Sequence, residues 1–268
     1  MRTFSCDSNR CVPCTVCEKT CPKKLVEVSD GKAAVTESFP EKCNGCLHCV
    51  AFCPMDAIVH SDAPGVSREG YKARSEDAER IASLLKTRRS IRAFRRDGVS
   101  PETIEAIMEA VKYAPTGANR REFRWVITGT PQSTAEVTAL LRDWWKTEAV
   151  KEGDDPSKIA FMFERLEAGI DTITGGAPHI AFCVVTKETK WDAVDTGIAL
   201  TYFNVMCEAL GLGCLFSANS ARAAVGKPVR ERLGLKESET CLCAICFGKP
   251  VYRPKRIPGM AKAPVTIV

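Results

Sequence analysis

At 268 residues the chain exceeds one average domain, and its 45% hydrophobic content is that of a globular protein able to bury a substantial core. No apolar run approaches the roughly 18–20 residues that span a bilayer, so no membrane partner is expected and the expected location is the cytoplasm. The net charge of +5 is uneven, because residues 1–60 hold seven basic and seven acidic side chains and the excess lies beyond them.

The first 60 residues are organised by cysteine. Eight of the 15 cysteines form two copies of the spacing Cys-x2-Cys-x2-Cys-x3-Cys-Pro: Cys11, Cys14, Cys17 and Cys21 before Pro22, then Cys43, Cys46, Cys49 and Cys53 before Pro54. Each member of the second copy lies 32 residues after its counterpart, so the segment is an internal repeat. Short steps let three thiolates of one loop reach three corners of an iron–sulfur cube, while the fourth Cys ligates the cluster of the other half. The expected sets are therefore Cys11, Cys14, Cys17 and Cys53 for one [4Fe–4S] cluster, and Cys43, Cys46, Cys49 and Cys21 for the other. Zinc sites take two pairs rather than triplets with a trailing Cys-Pro. A disulfide framework needs an export signal, and Met1–Cys11 has no apolar segment. Cys6 is surplus to the ligand count. His48, inside a cluster loop, is a candidate for tuning a cluster by hydrogen bonding. The segment resembles bacterial two-cluster ferredoxins.

Residues 61–74 read as a linker rich in Gly, Pro, Ser and charge, leaving 75–268 as a second domain. Ser75 is a candidate cap for a helix to about Thr87 with Ile81, Leu84 and Leu85 on one face. Ser100-Pro101-Glu102 starts another, with Ile104, Ile107, Met108 and Val111 as its core stripe. A strand at Trp125–Thr128 and a helix over Ser133–Val150 follow, the helix carrying Val137, Leu140, Leu141, Trp144 and Trp145 on its apolar side. Residues 146–166 are expected to shape a substrate cleft. Ala177–Val185 is apolar without alternation and predicts a fully buried strand. Ala193–Leu212 predicts a long helix that is apolar nearly all round, and Cys214–Ser217 a short strand. Cys241–Phe247 is the last strand. With regular alternation its Cys241 and Cys243 share one face and Cys246 the other, so these cysteines, like Cys183 and Cys207, read as small buried hydrophobes.

Five arginines crowd into Arg88–Arg96, and Arg253, Lys255 and Arg256 gather near the end. Aromatic–basic interleaving and a recognition helix are both missing, which argues against nucleic acid. Two basic segments far apart in sequence suit a small phosphorylated ligand.

Arg88-Arg89-Ser90-Ile91-Arg92-Ala93-Phe94 resembles the opening signature of the FMN-dependent nitroreductase family. Ala114–Arg120 resembles its second motif, Ala209–Asn219 its third, and Gly248-Lys249-Pro250 with Arg253–Arg256 its usual ending. With the front domain, the chain resembles a ferredoxin–nitroreductase fusion. The resemblance implies an α+β fold: a small two-cluster ferredoxin-like domain, then a central mixed sheet flanked by helices. It implies FMN as cofactor. Arg88, Arg89, Ser90 and Arg253 or Arg256 are its candidates for the phosphate and ribityl chain, with Lys255 left open. Arg92 is placed at the pyrimidine edge, where a cation stabilises charge gathered on reduction. Pro115, Thr116, Gly117 and Asn119 correspond to a loop reaching the flavin from a second subunit, hence a homodimer. Cys214, Leu215, Phe216, Ser217 and Ala218 are expected to cover one face of the ring. The chain departs from the family at Arg121-Glu122-Phe123, where Gln-Pro-Trp is common, so substrate preference does not carry over.

Joined, the halves imply an oxidoreductase linking one-electron transfer through two clusters to two-electron reduction of a nitroaromatic, quinone or enone-like acceptor. NAD(P)H or reduced ferredoxin is the expected donor. No GxGxxG follows a predicted strand, so a nicotinamide would bind only transiently. The alternatives are a non-catalytic electron carrier or redox sensor, and another flavin chemistry on the same fold. No catalytic acid or base is nominated.

Overall fold

A computed structural model describes residues 1–65, 70, 72–186 and 189–267. The chain forms two compact units, one of Met1–Ala73 with Ala118–Arg120, the other of Arg74–Gly117 with Arg121–Val268. Residues 66–69 and 71, in the segment expected to be a linker, lie outside the described residues.

In the first unit, β1 (Phe4–Cys6) pairs antiparallel with β4 (Ile58–His60), and β2 (Val26–Ser29) with β3 (Lys32–Val35). The β2–β3 turn is Asp30-Gly31, both at positive φ, a strong hairpin signal legible in the sequence. Short helices α1 (Val16–Thr20), α2 (Phe39–Lys42) and α3 (His48–Ala51) carry or flank the cysteines. The repeat extends to the backbone. Thr15 and Leu47 are left-handed, and so are Lys24 and Asp56, each pair 32 residues apart. The core is small: Cys17, Val26, Ala33, Cys49, Val50 and Ile58.

The second unit is built on an antiparallel sheet ordered β5-β6-β8-β7: β5 (Phe123–Ile127), β6 (His179–Val185), β8 (Thr240–Gly248) and β7 (Gly213–Phe216). Among the described residues its parallel component is a single bridge between Ser90 and Cys214. Every residue of β6 is buried, as its unbroken apolar run requires.

Helices cover both faces of the sheet. On one side α6 (Pro131–Thr147), α7 (Pro156–Glu167), α9 (Ala218–Ala223) and α10 (Lys227–Leu233) pack on Ile180, Phe182, Val184, Ala244 and Cys246. On the other, α5 (Pro101–Val111) and α8 (Asp192–Ala209) pack on Ala181, Ile245 and Phe247. α5 starts as expected, with Ser100 Oγ accepting from the Thr103 N–H.

Several expectations need correction. α4 (Asp77–Thr87) is not capped by Ser75. Its cap position is Glu76, and no side chain of α4 is buried, leaving Ile81 and Leu85 about half exposed. α6 begins at Pro131, because Thr130 and Ser133 form a reciprocal capping box ahead of the expected start. Apart from these corrections, most of α7, capped by Asp155, falls within residues 146–166, and its Ile159 and Met162 enter the main core. α8 is not apolar-buried all round, since Val194, Thr201 and Tyr202 face outward. Finally, Cys241 and Cys243 do not share a face. β6 pairs Cys183 with Cys243 but Val184 with Cys241, so Leu242 forms a bulge that flips the alternation. Cys241 joins the Cys246 side and Cys243 the Phe247 side. All remain buried or half-buried thiols, as expected.

His179 is a fully buried link between β6 and its surroundings. Its Nδ1–H donates to the Thr128 carbonyl (2.8 Å), and Nε2 accepts from the Val99 N–H (2.8 Å). His179→Phe keeps a ring but strands both backbone groups, an expected loss of about 2–4 kcal/mol in urea unfolding. Burial lowers the His179 pKa below 6.5. Its contribution is therefore full above that value and lost as pH falls through the folded pKa, because the unfolded chain takes the proton first. The stability gap between wild type and variant should narrow from about pH 7.5 to about 5.5; a constant gap would contradict this.

Candidate metal and flavin sites

The first unit holds two partly open hollows, each walled by cysteines. One is lined by Cys11, Cys14, Cys17 and Cys53, with Val12, Val28 and Ile58 among its apolar walls. The other is lined by Cys21, Cys43, Cys46 and Cys49, with Val26, Phe39 and His60. Each cavity thus receives three cysteines from one repeat and the fourth from the other. Among the described residues, no group of His, Cys, Asp or Glu closes on a single metal ion. Four thiols around a largely apolar hollow, three from one repeat and one from the other, fit a cubane rather than zinc. Burial pushes the Cys49 thiol up to about 11, so thiolate there calls for a metal's charge. Sulfurs at matched positions accept backbone N–H groups, Leu25 to Cys21 and Ala57 to Cys53, both at 3.3 Å.

The tuning role expected of His48 falls to another histidine. His48 is exposed, and its Nδ1–H donates to the Thr20 carbonyl (3.2 Å), not to sulfur. His60 is buried on β4 with Nε2 3.5 Å from Cys43 Sγ. Sequence reasoning missed it because only the β1–β4 pairing brings residue 60 against residue 43.

In the second unit, backbone pairing gathers three of the four family-like segments. Ile91 N–H donates to the Cys214 carbonyl (2.8 Å), Arg95 N–H to Lys249 O (2.8 Å) and Val251 N–H to Ala93 O (2.9 Å). Gly213 permits this approach, since a Cβ there would run into the Ile91 side chain. Gly213→Ala is expected to cost about 1–3 kcal/mol, read as a lower urea midpoint; an unchanged midpoint would show that Ile91 yields freely.

Arg88 and Arg253, 165 positions apart (253 − 88), both act on Glu208 of α8. Burial raises the Glu208 carboxyl pKa, and the two guanidiniums offset that only in part. Arg253 also donates to the Gly211 carbonyl just beyond α8. Two guanidinium groups against one carboxyl leave surplus positive charge, a donor set suited to a phosphate. Arg256 shares none of these contacts among the described residues. Arg89 turns back to cap α4, donating to the carbonyls of Lys86 (2.8 Å) and Arg88 (2.6 Å). Arg92 is exposed, with its guanidinium 3.4 Å from the Ser90 carbonyl.

The second motif is held by residues the sequence did not flag. Gly117 N–H donates to Asp195 Oδ1 of α8 (3.0 Å), and Thr116 Oγ1 accepts from the Arg121 N–H (3.1 Å). Pro115 precedes this turn. Asn119 belongs to the first unit, where its Nδ2 donates to the Asn44 carbonyl (2.8 Å).

In the third motif, Cys214 and Leu215 are buried and Phe216 is partly exposed. Ser217 caps α9, its Oγ donating to the Ile173 carbonyl (2.6 Å), and Ala218 opens that helix. The loop carrying Ile173 is organised by Asp171, which accepts from Ile173 N–H, Thr174 N–H and Thr174 Oγ1 at 2.6–3.0 Å. Burial raises the Asp171 pKa, but these donors outweigh it and the carboxyl ends below its usual range. Gly175 follows at positive φ, packed against Leu215 and the Arg92 backbone.

Comparison with known proteins agrees with both halves. Residues 85–249 match the model of the nitroreductase family, and residues 10–58 that of the 4Fe-4S dicluster domain. Nitroreductase NfnB of Mycolicibacterium smegmatis is 28% identical over 188 residues, 58% of this chain and 80% of that protein. A component of the ion-translocating oxidoreductase complex of Methanosarcina acetivorans is 42% identical over 48 residues, 18% of this chain and 17% of that protein. The fold of a Bacteroides fragilis nitroreductase with bound FMN matches with a TM-score of 0.58 at 18% identity, over 70% of this chain and 98% of that one. Among the described residues no helix is long and apolar enough to cross a membrane. An α+β chain with a 4Fe-4S dicluster domain at its front, this protein belongs to the nitroreductase family.

Proposed function

We propose that the protein is a cytoplasmic FMN-dependent oxidoreductase that couples one-electron transfer through two [4Fe–4S] clusters to two-electron reduction of a small acceptor. The observation that carries this reading is the pair of four-cysteine cavities, each crossing the repeat, on the same chain as a nitroreductase-family domain. When bound, the clusters supply single-electron transfer and the flavin supplies paired-electron chemistry.

The chain's own residues would do the rest. Cys11, Cys14, Cys17 and Cys53 would hold one cluster, and Cys43, Cys46, Cys49 and Cys21 the other. Arg88 and Arg253 would grip the FMN phosphate, with Ser90 toward the ribityl chain and Arg92 opposite the pyrimidine edge. Arg253 is favoured over Arg256 because it shares Glu208 with Arg88. Asp195 would fix the Gly117 loop in the shape that reaches a second subunit's flavin. A homodimer is supported by apolar side chains left exposed on one chain, Ile81 and Leu85 of α4 and Val194 and Tyr202 of α8. Nitroaromatic, quinone or enone-like compounds are the proposed acceptors, since reduced flavin with solvent protons suffices for them.

The test is anaerobic mixing of the purified protein with NADH, NADPH or reduced ferredoxin while flavin and cluster absorbance are followed. Bleaching of both bands by any one donor, reversed by an added quinone or nitroaromatic, is the expected result. Bleaching that no small acceptor reverses would point to a non-catalytic electron carrier and overturn the proposal.

A further inference from the structure

The 32-residue offset that relates the two cysteine motifs also relates the walls of the two cavities. Ile58 lines the first cavity and Val26 the second, both buried and apolar. At one matched pair the change places a buried imidazole in the wall. Val28 lines the first cavity, and 32 residues later His60 lines the second. An apolar wall in one half is replaced by an imidazole in the other.

Every polar atom of that imidazole is engaged. His60 is 2% exposed. Its Nδ1 accepts from the Asp62 backbone N–H at 3.0 Å, which assigns the ring proton to Nε2. Nε2 faces Cys43 Sγ at 3.5 Å. The same sulfur lies 3.4 Å from the Gly45 N–H. Phe39 packs edge-on against the ring with centroids 5.7 Å apart. Arg2 braces the arrangement, its Nε donating to Asp62 Oδ2 (2.6 Å) and its NH1 to the Cys43 carbonyl. In the first cavity, no side-chain N–H reaches Cys11, Cys14, Cys17 or Cys53 among the described residues. The backbone donors to Cys21 and Cys53 match between halves, so they create no difference.

We infer that His60 makes the two clusters inequivalent, raising the reduction potential of the one held through Cys43 above that of the one held through Cys11. This rests on the two-cluster reading above. Reduction adds one electron and no atom, and leaves more negative charge on the thiolate sulfurs. A fixed N–H donor to a ligand sulfur stabilises that reduced state more than the oxidised one. His60 acts through Cys43 and is a positioning residue. An electron entering the first unit would then rest preferentially on the cluster of the Cys43 set.

The test is a potentiometric titration of the full-length, anaerobically purified protein with dithionite, each cluster being followed by its electron paramagnetic resonance. Wild type should show two separate one-electron midpoints. His60→Phe keeps the ring but removes the donor. At a fixed poise it should lower the reduced-to-oxidised ratio of the higher-potential cluster about tenfold, or about 59 mV. His60→Gln, which restores an N–H donor, should recover part of that shift. Iron and sulfide contents separate the possible failures. His60→Phe with wild-type iron and unmoved midpoints overturns the inference. About four irons in wild type would instead sink the two-cluster reading and the inference with it. If His60→Phe sheds iron, pulsed resonance on ¹⁵N-histidine-labelled wild type decides. Nitrogen and exchangeable-proton couplings on one reduced cluster uphold the role of His60, and their absence from both refutes it.

Discussion

Cys53→Ala is expected to lose the cluster of the Cys11 set and keep the cluster of the Cys43 set. Cys53 belongs to the second repeat, yet it lines the cavity of the first. Iron should fall from about eight to about four per chain, and Cys21→Ala should do the reverse. The two variants are told apart by their surviving midpoint, the higher one in Cys53→Ala and the lower one in Cys21→Ala. Each variant should also weaken the first unit. Its apolar core is only a handful of side chains, and a unit of about 60 residues with so small a core leans on metal for its fold. Faster cleavage in limited proteolysis is the accompanying expectation. Survival of the wrong cluster would mean that each repeat ligates its own.

Arg88→Ala combined with Arg253→Ala is expected to weaken FMN binding by about 10²–10⁴-fold, taking about 1.5–3 kcal/mol for each charge-assisted contact. The basis is convergence: one guanidinium from the first family-like segment and one from the last both act electrostatically on the same carboxyl near the end of α8. Arg256→Ala serves as the internal control and should leave binding nearly unchanged. Flavin retained after dialysis, followed by titration of the flavin-free protein, reads both. Strong binding in the double variant, or a large loss in Arg256→Ala, would move the phosphate site elsewhere.

What the sequence disclosed was set by local periodicity. The cysteine repeat, the unbroken apolar run of β6 and the capped start of α5 depend on neighbours a few residues away, and each stands as expected. What stayed hidden depends on tertiary placement. His60 acquires meaning only when β4 lies beside β1 and turns it toward Cys43. Asp195 and Asp171 look like ordinary helix and loop acids until Gly117 and Thr174 are folded against them. Leu242 carries no mark of the bulge that separates Cys241 from Cys243. The Ile81–Leu85 stripe obeyed helical spacing, but periodicity cannot tell a core face from one that this chain leaves uncovered. Among the five arginines of Arg88–Arg96, composition could not separate Arg89, which caps α4, from Arg88, whose charge acts on Glu208.

The central claim is that one chain holds both kinds of redox centre. The most direct measurement is iron, acid-labile sulfide and flavin per polypeptide in anaerobically purified protein. The account predicts about eight irons, about eight sulfides and one FMN for each chain. Eight irons with no flavin, or zinc in place of iron and sulfide, would contradict it.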